Sequence, residues 1–187
     1  MANNRNGLMG DLDSFYSDAG TFLGKPGLRQ TVRVGLVKPG AQAVLFFRFY
    51  KCLYNMGLRL LPEFLSRINL LLTGAEIDPG AEIGPGCRIG HASGVVIGRG
   101  VVIGKDSWIL NNVTLGGRGH SRFHVAEPGY PTLGDDVILY TGVTVLGNVA
   151  IGDGAVIGAH SLVLDSIPAG ALAVGSPARV IKTLSEG

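Results

Sequence analysis

The sequence predicts a mainly β protein, a parallel β-helix of hexapeptide repeats over residues 76–187, preceded by a short α-helical region over residues 1–75. Two observations support this prediction. Aliphatic residues recur at a spacing of six, and glycine accounts for 30 of the 187 residues. A period of six suits a coil in which one side chain per short strand points inward and small residues relieve the corners. The inward residues are predicted to be Ile77, Ile83, Ile89, Ile97, Ile103, Ile109, Leu115, Leu133, Leu139, Val145, Ile151, Ile157 and Val163.

The composition restricts the class of function. Charged residues make up 16% of the chain and the net charge is +2, so neither disorder nor a nucleic-acid-binding surface is expected. The two cysteines, Cys52 and Cys87, suggest no disulfide framework and no zinc motif. The N-terminal residues lack a signal-peptide pattern, and the most apolar run, residues 41–50, is too short to span a membrane. We therefore expect a cytoplasmic protein with no membrane partner.

Helices are predicted ahead of the repeats. Residues 1 to about 38 are expected to hold a short helix and connecting chain. Apolar residues at helical spacing predict a helix over residues 41–55, and Gly57 follows as a stop signal. A second helix is predicted over residues 58–72, where Pro62 should either kink the helix or mark its first turn.

Two interruptions break the period of six. A two-residue insertion falls at His91-Ala92-Ser93-Gly94, and a longer segment, residues 116–132, separates two of the repeats. The longer segment contains Gly, His and Arg residues that do not suit a narrow core, so it should project as a loop. Long loops on rigid solenoids usually carry function.

The repeats, with His91-Ala92-Ser93-Gly94 and Thr114-Leu115-Gly116-Gly117, resemble the serine acetyltransferase family of hexapeptide-repeat acyltransferases. Residues 11–15 and 174–181 are also similar to that family, so the resemblance covers nearly the whole chain. It implies a left-handed β-helix, a hand that the period alone does not fix. It also implies a homotrimer, with acetyl-CoA as the donor. No metal is expected, because the Cys and His residues form no metal-binding motif.

Transfer of an acetyl group to a hydroxyl needs a base, and histidine is the usual base near neutral pH. The resemblance places His91 at the catalytic histidine position and Glu76 at the position of the carboxylate that orients it. Asp78 is the competing carboxylate. On the residues alone, a structural His91 and a solvated Glu76 remain the alternatives.

Candidates for binding acetyl-CoA lie after the first interruption. Glycine amides of the Thr-Leu-Gly-Gly motif can donate to the developing oxyanion or to the pantetheine arm, with turn formation as the alternative. By the resemblance, small residues on later coils line a CoA groove between adjacent subunits. Cations near the C-terminus can meet the CoA phosphates, with a solvated basic end as the alternative. These candidates are Gly116, Gly117, Thr141, Gly142, Ala159, Arg179 and Lys182.

The chain departs from the family pattern on the acceptor side. Members usually carry an Asp before the catalytic histidine, where it contacts the amino group of the substrate, and this chain has Gly90. The family's Arg-His-Pro, which binds the substrate carboxylate, is replaced by Gly129-Tyr130-Pro131. Three basic loop residues are candidates to substitute for it. The candidate substrate-binding residues are Gly90, His120, Arg122, His124 and Tyr130.

The predicted function is acetyl-CoA-dependent O-acetyl transfer by direct attack, with L-serine as the default acceptor. The same chemistry on another hydroxy amino acid, a sugar or a biosynthetic intermediate is the alternative. A non-catalytic β-helix scaffold is a third reading, against which His91 and Glu76 both speak. Zinc binding by His120 and His124 lacks supporting ligands. The C-terminus lacks the family's terminal Ile tail, so no cysteine-synthase complex is expected.

Overall fold

The computed structural model describes residues 38–118 and 129–184. Helix α1 spans Pro39–Asn55 and helix α2 spans Leu60–Thr73, each within two residues of its predicted bounds. Pro62 lies in the first turn of α2, where its missing N–H costs no helical hydrogen bond, so it does not interrupt the helix. Gly74 ends α2 in the left-handed conformation, with φ of 81°. The short helix expected before residue 38 lies outside the described residues.

Fifteen short strands follow α2 in the described residues, and each of the first thirteen ends on or one residue after a predicted inward residue. The strands are β1 Glu76–Ile77, β2 Glu82–Ile83, β3 Arg88–Ile89, β4 Val96–Ile97, β5 Val102–Ile103, β6 Trp108–Ile109, β7 Thr114–Gly116, β8 Thr132–Leu133, β9 Ile138–Leu139, β10 Thr144–Leu146, β11 Ala150–Ile151, β12 Val156–Ile157, β13 Leu162–Val163, β14 Ala171–Gly175 and β15 Ala178–Thr183.

Every third strand stacks in parallel on the strand one coil earlier, as a β-helix requires. Sheet A contains β1, β4, β7, β10 and β13, and sheet B contains β2, β5, β8 and β11. Sheet C contains β3, β6, β9 and β12, and it continues into β14 and β15. The corners between sheets form the edges of a three-sided prism. The C–A edge consists of residues 90–94, 110–112, 140–142 and 158–160, and the A–B edge of residues 78–80, 98–100, 116–117, 129–130 and 147–148.

The predicted inward residues fill the axis of the prism. All thirteen are buried, and the most exposed of them, Ile83, has 7% of its surface accessible. The residue two positions before each is also buried, which the sequence analysis missed. This second set mixes Ala, Ser, Cys, Val and Pro, so it gives no clear hydrophobic signal. Its members are Ala75, Ala81, Cys87, Val95, Val101, Ser107, Val113, Pro131, Val137, Val143, Val149, Ala155 and Ser161.

Helix α1 lies across the first coil. Gly40 makes the close approach possible, because a Cβ there would fall 1.9 Å from the carbonyl oxygen of Ile89. The buried hydroxyl of Tyr50 donates to the carbonyl of Ile77 at 2.8 Å. Asn69 of α2 donates from its Nδ2 to that same hydroxyl at 3.3 Å. The two helices therefore meet the β-helix through a hydrogen-bonded and closely packed contact.

Two buried cations of α1 complete this contact. The Arg48 guanidinium donates to the carbonyl of Ile83, and to that of Gly84 at 2.6 Å. Lys51 donates from Nζ to the carbonyl of Pro79 at 3.3 Å. The first coil has no earlier coil to receive hydrogen bonds from, so these donors satisfy carbonyls that would otherwise lack partners.

The last two strands form an antiparallel hairpin that the period of six did not predict. Val174 of β14 pairs with Arg179 of β15, and Gly175 pairs with Ala178. The hairpin extends sheet C beyond the last regular coil. In the described part of the chain, no helix is long and apolar enough to cross a membrane.

Candidate functional site

The first interruption of the period lies at the C–A edge. Successive corners there stack through backbone hydrogen bonds, from the Asn112 N–H to the Ser93 carbonyl at 3.0 Å and from the Gly142 N–H to the Asn111 carbonyl at 2.9 Å. The His160 N–H continues the stack to the Thr141 carbonyl at 2.8 Å. The edge therefore places the corner that carries His91 in one column with the predicted CoA-groove residues, which are Thr141, Gly142 and Ala159.

His91 is exposed at this edge, between Gly90 and the buried Ala92. The two-residue insertion lengthens this corner, so that residues 90–94 take the place of the three-residue corners of the later coils, and His91 lies within it. Among the described residues, no side chain forms a hydrogen bond or an ion pair with its imidazole. The ring is therefore accessible to a substrate.

Glu76 lies in sheet A, at the start of β1. It is the first residue of β1, its N–H donates to Val95 at 2.8 Å, and it stands opposite Val96 of β4. Its carboxylate pairs with Arg67 of α2, with 3.5 Å between Oε1 and Nη1. Both side chains are largely exposed, so the pair is a weak one. Within one chain the carboxylate thus contacts Arg67 and makes no described contact with His91.

Asp78 is bound at a different edge. Its Oδ1 accepts from the Gly80 N–H at 2.7 Å and from Arg99 Nε at 3.2 Å, within the A–B corner that follows β1. The charge of Asp78, its hydrogen bond and one to Glu63 raise the pKa of Arg99 above its ordinary value. These contacts hold Asp78 at the A–B edge, whereas Glu76 lies in β1 of sheet A.

Gly116, Gly117 and Tyr130 lie at the A–B edge. The Gly116 carbonyl accepts from the Gly147 N–H at 2.9 Å. The Tyr130 ring packs over two glycines, because a Cβ on Gly100 or Gly117 would lie 2.7 Å or 3.3 Å from ring carbons. Sheet A separates these residues from His91 in a single chain. The structure therefore brings the candidates together in two groups, one at each edge of sheet A.

Gly90 lies beside an aromatic residue that the sequence analysis did not select. A Cβ built on Gly90 would be 3.1 Å from Nε1 of Trp108, the first residue of β6. Trp108 is 43% exposed. The Arg88 guanidinium carbon lies 5.8 Å from the centroid of the indole. The period of six could have identified this contact. Trp108 precedes the inward residue Ile109, so it lies on the outer face of sheet C, paired with Arg88 of β3.

The C-terminal cations lie at the far end of the β-helix. Arg179 Nη1 is 3.3 Å from Asp165 Oδ2 and donates to the Ala178 carbonyl at 2.9 Å. Lys182 stands opposite Leu172 in the terminal hairpin. His120, Arg122 and His124 lie outside the described residues. Within residues 38–118 and 129–184, no three His, Cys, Asp or Glu side chains are grouped as a metal site would require.

These features are matched in known proteins. Residues 130–165 match the family described as bacterial transferase hexapeptide (six repeats). The serine acetyltransferase of Helicobacter pylori is 39% identical over 170 residues, which cover 91% of this chain and 97% of that protein. The serine acetyltransferase of Synechococcus elongatus is 42% identical over 156 residues, which cover 83% of this chain but only 62% of that protein.

Solved structures agree with the sequence matches. Neisseria gonorrhoeae serine acetyltransferase in complex with serine superposes with a TM-score of 0.81 at 29% identity, covering 95% of this chain and 72% of that one. Soybean serine acetyltransferase complexed with serine gives 0.82 at 34% identity, covering 92% and 70%. The fold is thus a left-handed β-helix of the hexapeptide-repeat transferases. Within that class, the chain belongs to the serine acetyltransferase family.

Proposed function

We propose that this chain is an acetyl-CoA-dependent O-acetyltransferase in which His91 is the general base, and that L-serine is the first acceptor to test. One observation carries the proposal. The exposed imidazole of His91 shares the C–A edge with the small residues Thr141, Gly142 and Ala159. A thin, flexible pantetheine arm can run beside these small residues, next to the His160 imidazole that lies over Gly142. Its thioester would then end beside the base.

The chemistry needs only this base and a donor for the oxyanion. The imidazole accepts the proton of the acceptor hydroxyl while the hydroxyl oxygen attacks the thioester carbonyl. The carbon–sulfur bond breaks, and the imidazolium returns the proton to the departing thiolate. The products are an acetyl ester and free CoA, so protons and electrons balance without a further reactant. The N–H of Gly117 is the proposed oxyanion donor, because the N–H of Gly116 takes part in the parallel ladder between β7 and β10; Gly116 stays a candidate for contact with the pantetheine arm.

Glu76 is proposed as the residue that orients His91. Its ion pair with Arg67 does not prevent this, because an exposed pair of this kind contributes about 0–1 kcal/mol. A carboxylate beside the imidazole favours one tautomer and stabilises the imidazolium. Glu76 is thus a positioning residue, and its loss should reduce turnover less than the loss of His91.

The placement of the candidates at two edges supports a homotrimer. The base lies at the C–A edge and the proposed oxyanion donor, Gly117, lies at the A–B edge, with sheet A between them. In a ring with threefold symmetry, different edges of neighbouring subunits face each other. We propose that each complete site uses His91 of one subunit and the glycines of another. That the chain forms no cysteine-synthase complex stays a prediction.

The test is release of CoA thiol from acetyl-CoA with L-serine present, in the wild-type protein and in His91→Ala. We expect kcat to fall by about 10²–10⁴-fold in His91→Ala, the usual contribution of general base catalysis. Glu76→Gln should give a smaller loss, and its matched control Asp78→Asn should retain wild-type turnover. Wild-type turnover in His91→Ala would overturn the proposal, since the reaction would then proceed without the imidazole of His91.

A second candidate function keeps this chemistry and changes the acceptor. It is favoured by the indole of Trp108, which lies where a side chain of residue 90 would otherwise project. An acceptor bound beside Gly90 would contact an aromatic surface.

A further inference from the structure

We propose that Trp108 is the acceptor platform of this site and that the acceptor is a pyranose sugar, acetylated on a hydroxyl in preference to free L-serine. The inference rests on the proposed function, because it names the acceptor of that same acetyl transfer. It is carried by three observations: the space taken by the indole in front of Gly90, the charges around Gly90, and the partial exposure of the ring.

The indole occupies the space in front of Gly90. A Cβ at this glycine would be 3.1 Å from Trp108 Nε1 and 3.9 Å from Leu110 Cγ, so even an alanine would make a tight contact. The surface in front of Gly90, which directly precedes His91 in the chain, is therefore aromatic and aliphatic. Trp108 is 43% exposed, which leaves part of the ring open to a ligand.

The charges near this surface do not suit a free amino acid. A cation, Arg88, lies over the indole, with its guanidinium carbon 5.8 Å from the ring centroid. In the described part of the chain, the atoms nearest to a Cβ at Gly90 include no carboxylate oxygen, Glu76 is assigned to His91 in the proposed function, and Asp78 is bound to Arg99. An ammonium group brought here would lose water without gaining a carboxylate, which is unfavourable. A glycoside brings no such charge.

A sugar ring matches what the surface does offer. The face of an aromatic ring carries partial negative charge and attracts the weakly positive C–H groups on the apolar face of a pyranose. Arg88 can donate hydrogen bonds to ring hydroxyls from the same side. A ring lying on the indole would present one of its hydroxyls towards the neighbouring His91, and the transfer then proceeds as described above with that hydroxyl as the nucleophile.

Binding can be tested without any activity, because Trp108 is the single tryptophan of the chain. Its emission is followed in the wild-type protein during titration with methyl α-D-glucopyranoside, methyl α-D-mannopyranoside, methyl β-D-galactopyranoside and L-serine. We expect a saturable change with at least one glycoside and none with L-serine. A saturable change with L-serine alone, or no change with any glycoside, overturns the proposal.

Kinetics then separate a platform from a structural residue. For the preferred glycoside, Trp108→Ala should lower kcat/KM by about tenfold or more, mainly through KM, which corresponds to about 1.4 kcal/mol. Trp108→Phe should restore most of this loss, and Phe64→Ala, an exposed aromatic of α2, should have no effect. Any activity with L-serine should fall by a much smaller factor than activity with the glycoside in Trp108→Ala. Equal losses for both acceptors would contradict the proposal.

A double variant tests the reverse preference. Trp108→Ser removes the obstruction and Gly90→Asp supplies a carboxylate for an ammonium group, so the pair should gain activity with L-serine and lose it with glycosides. Gly90→Asp alone should gain little, because the indole stays in place. If His91→Ala retains full turnover, the proposed mechanism fails, while the emission titration still decides whether a sugar binds at Trp108.

Discussion

At the scale of single residues, the inward aliphatic side chains determine stability. Ile109 is fully buried at the axis of the prism. Ile109→Ala should lower the free energy of unfolding by about 2–5 kcal/mol, because the narrow core cannot collapse around the missing atoms. Denaturation with urea measures the change. The control Val102→Ala removes a side chain on the outer face of sheet B that is 38% exposed, and a loss as large as that of Ile109→Ala would contradict this account.

The buried hydroxyl of Tyr50 should make the free energy of unfolding depend on pH. Burial is the main cause that raises the pKa of its hydroxyl above the ordinary value of 10.0. The unfolded chain therefore releases this proton at a lower pH than the folded chain does. As pH rises above 10.0, the unfolded state binds fewer protons and the free energy of unfolding falls.

The variant Tyr50→Phe isolates this contribution. At neutral pH it should lower the free energy of unfolding by about 1–3 kcal/mol, because the carbonyl of Ile77 loses its buried donor. Above pH 10.0 the difference between wild type and variant should shrink, as measured by urea denaturation at several pH values. A difference that stays constant with pH would show that Tyr50 does not titrate differently in the folded chain.

Residues differed in how well their surroundings could be predicted from the sequence. The inward positions were predicted correctly because each hexapeptide repeats the same local geometry. The inward residue of a strand can therefore be identified from its own repeat, without knowing which strands pair. The contact of Gly90 with Trp108 was not predicted, since it joins diagonal neighbours on adjacent coils. The Glu76–Arg67 pair was missed for a similar reason, because it depends on how α2 packs against β1.

At the scale of elements, α1 stabilises the first coil through buried donors. Arg48→Met keeps much of the packing volume and removes the donors to the carbonyls of Ile83 and Gly84. It should lower the free energy of unfolding by about 1–3 kcal/mol, the cost of leaving a buried acceptor without a partner. The matched control is Arg59→Met, an exposed cation over the Tyr54 ring. If both variants lose the same stability, Arg48 does not stabilise the first coil through these two carbonyls.

The elements themselves followed closely from sequence patterns. The two described helices were predicted within two residues of their ends because apolar spacing and a following glycine signal both boundaries. The terminal hairpin was missed because it pairs in an antiparallel arrangement and leaves the period of six after Val163. The side chains of β15 are mostly exposed, so its sequence carries no alternating pattern.

At the scale of the whole molecule, the two groups of candidate residues predict complementation between subunits. A Cβ at Gly116 meets nothing within 4 Å, so Gly116→Phe should fold and yet block the A–B edge. His91→Ala and Gly116→Phe should each be inactive when pure. If they are dissociated, mixed in equal amounts and reassembled, random pairing of edges in a cyclic trimer should restore about a quarter of wild-type activity.

Thiol release measures the recovered rate, and sedimentation confirms that mixed trimers have formed. A mixture that contains mixed trimers but recovers no activity would show that both groups act within one chain. An active wild-type monomer would lead to the same conclusion. Recovery well above a quarter would indicate that one of the two pure variants is not fully inactive.

The contacts at the two ends of the β-helix bear on assembly into fibres. A β-helix with a bare terminal coil offers unpaired backbone groups, on which a second molecule can add its own strands and grow without limit. Here α1 supplies donors to the first coil, and the terminal hairpin continues sheet C at the other end. These contacts should disfavour the addition of further copies by strand pairing at the first coil and along sheet C.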